Sequence, residues 1–242
     1  MAWLQPQSHL VSVVFPNRCI ACSALTPQRS TPFCAVCDHS LIGPPTCCFR
    51  CGIPITDRFN EQTPVCGRCM VQRDYPIMQS WWAFEYGGAV EQALQRLKYG
   101  KDWSIARPLG SLWLPPKSSV DDIELWDVIC PVPLHWRRRI RRGFNQATLI
   151  ARIIAKRLGL PLLINVLFRT RYTSSQVRLR AQERALNVQN AFRVRHPVAI
   201  QGKRVLLIDD VVTTGATARA CARTLRRSGA ASVSVWSVTR RL

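Results

Sequence analysis

The sequence lacks any stretch of about 18 consecutive apolar residues, the length a membrane-crossing helix requires, so no membrane insertion is expected. Its first residues, MAWLQPQSHLVSVVFP, are apolar but carry no basic leader region and no cleavage motif before the first cysteine pair. A secretory signal is therefore not expected, the location is expected to be cytoplasmic, and Leu10, Val11, Val13, Val14 and Phe15 are expected to pack on the rest of the chain. Acids are also scarce, with 14 Asp and Glu against 34 Lys and Arg, a net charge of +20. Between residues 134 and 200 the single acid is Glu183, which faces fifteen Arg or Lys, a local excess of +14. Such a field concentrates polyanions, whether nucleic acid, pyrophosphate-bearing metabolites or acidic lipid. A solubilising surface is the plainer alternative.

What is present fits a folded α/β protein. Hydrophobic residues make up 47% of the 242, enough for one full core and a smaller module, and too many for a disordered or fibrous chain. Nine of the eleven cysteines lie between Cys19 and Cys69, and composition changes near residue 72. We expect a cysteine module over residues 1–72 and an α/β domain over 73–242. Strands are expected at 81–86, 126–131, 161–167, 204–208 and 231–238, with helices at 89–99, 104–114, 145–158 and 217–228. Residues 135–144 read as a basic turn and 169–190 as a mobile polar loop. Cys130 and Cys221 read as ordinary buried thiols.

Cys19-x2-Cys22, Cys34-x2-Cys37, Cys48-x2-Cys51 and Cys66-x2-Cys69 are four knuckles, each placing two thiolates on one turn. Two such turns complete a tetrahedral S4 site, so two structural Zn²⁺ sites are expected. Disulfides do not suit a chain without a secretory signal, and a redox motif would not occur four times. Gly52 and Gly67 let backbone amides approach sulfur. Sequential pairing of the knuckles needs the shorter loops and is the expectation; a crossed pairing, and a turn in which Cys47 replaces Cys48, are the alternatives.

The segment Val205-Leu-Leu-Ile-Asp-Asp-Val-Val-Thr-Thr-Gly-Ala-Thr217 is an apolar strand ending in two acids, followed by a Thr/Gly loop that opens a helix. It lacks the lysine and spacing of a P-loop, and a receiver domain has no such loop after its acids. Amides at a helix N-terminus bind phosphate, and Gly215 permits close approach. Asp209 and Asp210 would stand beside that phosphate, placed for ribose hydroxyls or Mg²⁺. This segment resembles the signature of type I phosphoribosyltransferases. The resemblance implies a parallel sheet flanked by helices, phosphoribosyl pyrophosphate with Mg²⁺ as ligand, Asp209 and Asp210 on the ribose, and Thr213, Thr214, Gly215, Ala216 and Thr217 on its 5-phosphate.

Further motifs extend the likeness: Lys98-Tyr99, Pro131-Val-Pro133, Arg138, Arg142-Gly-Phe-Asn-Gln146, and Thr173-x2-Gln176-x2-Leu179-x4-Arg184-x2-Asn187-x3-Ala191-Phe192. Together with the double zinc ribbon they resemble the ComF family of competence-related proteins, over essentially the whole chain. That resemblance implies a role in handling or using imported single-stranded DNA, and adds Lys98, Arg138, Arg142, Gln176 and Arg184 as substrate-binding candidates. An active transferase of nucleotide metabolism, or an adaptor whose ribbon docks a competence helicase or recombination mediator, are the competing expectations. Among the basic residues, Arg side chains suit bidentate phosphate contacts. Trp136 and Phe144 among them suit base stacking, although Phe144 reads more readily as a core anchor. Asn145 is a natural N-cap. Arg178 and Arg180 join Gln176 and Arg184 on the expected closing loop, and His135 reads as a surface residue.

Overall fold

The structure is a computed structural model that describes residues 17–26, 31–55, 64–72, 74–113, 126–170 and 190–242. The apolar run at 10–15, and Gln176, Arg178, Arg180 and Arg184 of the expected closing loop, lie outside the described residues. Four strands form one sheet in the order β1 (Gln79–Glu85), β6 (Ser232–Arg240), β5 (Arg204–Val212), β2 (Val128–Pro131), and every pairing is parallel. Parallel sheets are covered on both faces, and β2 and the stretch Val205–Ile208 of β5 are apolar throughout, whereas β6 interleaves the buried polar residues Ser234, Ser237 and Thr239. Side chains still alternate in direction. Leu206, Ile208, Trp236 and Val238 meet one core, while Val205, Leu207, Val233 and Val235 meet the other.

On the first face lie α3 (Gly88–Tyr99), α4 (Ala106–Ser111) and α6 (Gln146–Leu158). In α6 the buried residues Ala147, Ile150, Ala151, Ile154 and Ala155 recur at helical spacing. Asn145 caps α6, its side chain accepting from the Ala147 N–H at 3.2 Å while its own amide donates to the Val132 carbonyl at 2.9 Å. The opposite face is covered by α7 (Ala216–Arg227) with Ala218, Cys221, Ala222 and Leu225 buried. Cys130 and Cys221 are indeed fully buried, and Phe144 anchors in the core at 8% exposure.

Four expectations are corrected. The basic turn is a helix, α5 (Trp136–Arg142). His135 is not a surface residue: it is 3% exposed and caps α5, its Nδ1 accepting from the Arg137 N–H at 3.2 Å. The strand expected at 161–167 reduces to a bridge between Leu162 and Ile129, after which the chain turns into β3 (Leu167–Arg169). β3 pairs antiparallel with β4 (Phe192–Val194), a hairpin separate from the main sheet. The helix expected at 104–114 opens as a 3₁₀ turn, Trp103–Ile105, and α4 ends at Ser111.

The cysteine module, with its short helices α1 (Ala35–His39) and α2 (Gly67–Val71), covers the outer edge of β1. The Ser80 N–H donates to the Phe49 carbonyl at 2.9 Å, and that of Glu85 to the Ile42 carbonyl at 2.8 Å. An edge strand left bare would invite pairing with another chain; here the module occupies it. Arg96 of α3 also reaches back, its Nη1 donating to the carbonyls of Cys19, Ile20 and Ala21 at 3.2–3.4 Å.

Candidate functional site

The thiols assemble as two clusters, Cys19–Cys22–Cys34–Cys37 and Cys48–Cys51–Cys66–Cys69, with the sulfur atoms of each within 4.8 Å of one another. The pairing is therefore sequential, and Cys48 rather than Cys47 belongs to the second cluster. Four cysteine sulfurs so gathered fit Zn²⁺, with no place left for a water ligand, so both sites are structural. The Cys66 N–H donates to Cys48 Sγ at 3.3 Å, the kind of contact that steadies a metal-bound thiolate. Gly52 holds φ +70°, and a Cβ there would stand 3.1 Å from the Ser80 carbonyl oxygen, so this turn needs glycine to lie against β1.

The second cluster is tied to the sheet beside the Thr/Gly loop. Arg240 Nη1 donates to the Cys51 carbonyl at 2.7 Å, and Trp82 Nε1 to that of Gly52 at 2.8 Å. Between this ribbon and the loop lies a cleft of about 920 Å³ that includes Tyr75, Thr213, Thr214, Arg219 and Arg241.

β5 does not stop at the acids. It runs through Asp209 and Asp210 to Val212, because Val211 and Val212 keep pairing with β6. The two carboxylates consequently leave the strand on opposite sides. Asp210 meets Lys98 from the last turn of α3, Nζ to Oδ2 2.6 Å, with Arg142 of α5 close by. Asp209 accepts the Asp210 N–H at 2.9 Å and lies within electrostatic reach of Cys221 and Arg169. Burial, then repulsion from Asp210, pushes the Asp209 carboxyl well above the ordinary carboxylate range. Burial also opposes ionisation of Asp210, but the Lys98 ammonium outweighs it and holds Asp210 below that range.

Gly215 stands at φ +72° as the N-cap of α7, the left-handed conformation that glycine adopts without strain. Thr214 Oγ1 accepts the Ala216 N–H at 3.4 Å, and Arg219 Nη1 reaches the Thr214 carbonyl at 2.9 Å, closing the turn. The loop thus sits at the positive end of a twelve-residue helix.

Of the other candidates, Lys98 and Arg142 converge on Asp210, and the Arg142 guanidinium lies 5.3 Å from the Tyr99 ring centre. Arg138 lies on the same stripe of α5 as Arg142 and near Arg169. Arg169 falls at the start of the loop that the sequence leads one to expect over 169–190. It is 8% exposed within β3, its charge disfavoured by burial and by Arg138 and supported by Asp209. A three-residue strand carries no periodicity that would have singled it out. His135 is also pushed down, by burial and then by Arg169, Arg137 and Arg138, so it is a neutral hydrogen-bond acceptor rather than a cation at neutral pH.

Comparison with known proteins agrees with this arrangement. The double zinc ribbon domain family matches residues 10–70 and the phosphoribosyl transferase domain family residues 141–241. The chain is 34% identical over 230 residues to the DNA utilization protein YhgH of Escherichia coli K12, covering 94% of this chain and 98% of that protein. It is 30% identical over 234 residues to Competence protein F of Haemophilus influenzae, covering 93% and 98%. Over 210 residues it is 29% identical to Competence protein ComFC of Bacillus subtilis, covering 80% and 83%.

Proposed function

The chain belongs to the ComF family of competence and DNA-utilization proteins, and from that premise we propose that it binds phosphoribosyl pyrophosphate at the carboxyl end of β5 and acts in the handling of imported single-stranded DNA. The observation that carries the first part is the Asp209–Asp210 pair three residues before a Thr/Gly loop at the N-terminus of α7. In this reading the loop takes the 5-phosphate, Asp209 and Asp210 take the ribose hydroxyls, and Lys98 with Arg142 faces the anionic pyrophosphate. Carboxylate oxygens are the donors a hard cation takes, so Asp209 and Asp210 would hold the Mg²⁺ that accompanies such a ligand, and its charge would favour the ionised Asp209 carboxyl that burial and Asp210 disfavour. The second ribbon, walling the cleft next to Thr213 and Thr214, takes the place of the hood that closes over a bound sugar phosphate. Arg138 would contact the same ligand from α5, and Gln176 and Arg184 would complete it on closure.

The DNA part rests on the +14 stretch between residues 134 and 200. The double variant Asp209→Ala/Asp210→Ala tests the ligand site: it should fold, keep its zinc and lose measurable sugar-phosphate binding. Unchanged affinity in that variant would sink the assignment. DNA binding should weaken steeply with added salt, as contact with many phosphates requires. A second reading, an adaptor that docks a helicase or recombination mediator, is favoured by the apolar side chains that the ribbons expose: Val36 at 81%, Met70 at 63% and Val71 at 85%.

A further inference from the structure

Helix α5 presents two different faces. Arg138 and Arg142, four residues apart, share the stripe that leads to Arg169 and the Asp210 carboxylate. Trp136 and Arg139, three apart, share another stripe, which walls a separate cleft of about 600 Å³ between α5, the first turns of α6 and the β3–β4 hairpin. Arg152 enters this cleft from α6, Phe168 and Arg169 from β3, and Arg195 from the residue after β4. Among the described residues, no aspartate or glutamate lines it. Among the described residues, Arg139, Arg152 and Arg195 take part in none of the ion pairs. Guanidinium groups converging on one concavity without an acid repel one another, and a bound polyanion relieves that repulsion.

The cleft is more than a phosphate trap. Trp136 stands among these arginines with 55% of its surface in water, an indole that the fold does not use for its core. The Arg195 guanidinium lies 5.1 Å from the centre of the Phe168 ring and leaves that ring partly accessible. Cations alternating with aromatic faces bind nucleic acid whose bases are free to stack, which a duplex does not offer. A small inorganic anion would need the arginines and would gain nothing from the indole.

We propose that this cleft is a single-stranded DNA site, with phosphates on Arg139, Arg152 and Arg195 and a base stacked on Trp136. It adjoins the sugar-phosphate site at Arg169, which borders both, and is walled by a different stripe of the same two-turn helix. The inference rests on the reading above that the protein handles single-stranded DNA, and it says where.

The test uses the zinc-loaded full chain and a fluorescently labelled oligothymidylate, followed by anisotropy across a salt series. The variant Arg139→Ala/Arg152→Ala/Arg195→Ala is compared with Arg107→Ala/Arg223→Ala/Arg227→Ala, which removes three exposed arginines outside the cleft. The cleft variant should flatten the slope of log affinity against log salt by about 2, since each phosphate contact on a single strand contributes about 0.7. The control should leave that slope within experimental error of the wild type. Trp136→Ala should weaken binding by about five- to 150-fold, and Trp136→Phe should restore most of it, because stacking is what the indole supplies. If the two triple variants lose affinity equally, or Trp136→Ala binds like the wild type, the cleft is not the DNA site although the protein binds DNA. If inorganic pyrophosphate displaces the oligonucleotide at equal phosphate concentration and Trp136→Ala is neutral, the cleft is a small-anion site and the proposal fails. No oligonucleotide binding by the wild type at low salt would overturn the DNA reading and this inference with it.

Discussion

Lys98→Met removes the only cation that ion-pairs with Asp210 among the described residues while preserving most of the side chain's length. Nζ stands 2.6 Å from Asp210 Oδ2, and each side chain is 16% exposed. At an effective dielectric near 20, unit charges at that separation attract by about 6 kcal/mol, part of which the desolvation of both groups offsets. Removing one partner of such a buried pair costs about 3–5 kcal/mol, because a carboxylate is left without an ion-pair partner and keeps only the field of Arg142. Asp210 can escape by taking a proton, so we expect the lower end, about 3 kcal/mol, a large share of the ~5–15 kcal/mol of a typical fold. The sign with pH follows from the direction of the shifts. In the wild type the lowered pKa of Asp210 gives stability that is complete above the ordinary carboxylate value of 3.8 and is lost as pH falls through the lowered value. The raised pKa of Lys98 means the same pair is lost at the alkaline end, as pH rises through that value. In the variant Asp210 protonates at higher pH, so its deficit should shrink as the solution is acidified from neutrality. Urea unfolding of zinc-loaded protein, with equal slopes for both forms, reads this directly. A variant within about 0.5 kcal/mol of the wild type at neutral pH, the range of ordinary surface changes, would refute the reasoning. A deficit that does not shrink on acidification would do the same.

Other consequences follow from the same geometry. Arg240→Ala deletes a buried charged donor to the Cys51 carbonyl and should cost about 1.5–3 kcal/mol, with faster loss of zinc to a chelator from the second ribbon only. Equal chelation rates for the two ribbons would contradict that link. Cys48→Ser should lower bound zinc from two ions to one, whereas Cys47→Ser should leave two; metal analysis of the purified proteins decides between them. Asp127 accepts from the Arg204 backbone N–H, Nε and Nη2 at 2.7–3.2 Å, which holds its carboxyl at about 2. Its contribution is present above 3.8 and lost as pH falls toward 2, so Asp127→Asn should cost about 1 kcal/mol or less at neutral pH and nothing in acid. A variant whose deficit persists in acid would show that the loss lies in packing.

The parts of the fold legible in the sequence are those with an apolar rhythm. The helix expected at 145–158, with Asn145 as its cap, is α6, and the apolar run from Val205 is the start of β5. α5 was missed because Trp136–Arg142 has no buried residue to give it a stripe; its cap, the buried His135, is a tertiary fact. The hairpin was missed because three-residue strands show no period, and the bridge at Leu162 rests on one pairing. At the site, the residue types of the loop and the acid pair were visible, but their placement was not. That β5 continues past Asp210, sending the two carboxylates to opposite sides, depends on the β6 register. The meeting of Lys98 with Asp210 spans 112 positions, and only the packing of α3 on the sheet brings them together.

The most direct test of the central claim is calorimetric titration of the zinc-loaded protein with phosphoribosyl pyrophosphate and Mg²⁺. Saturable binding at one site, abolished in Asp209→Ala/Asp210→Ala while zinc content and a cooperative, if less stable, folded state are retained, is the predicted result. Absence of heat and of competition by ribose 5-phosphate in the wild type would contradict the account, and the acid pair with its Thr/Gly loop would then be a structural remnant of the fold.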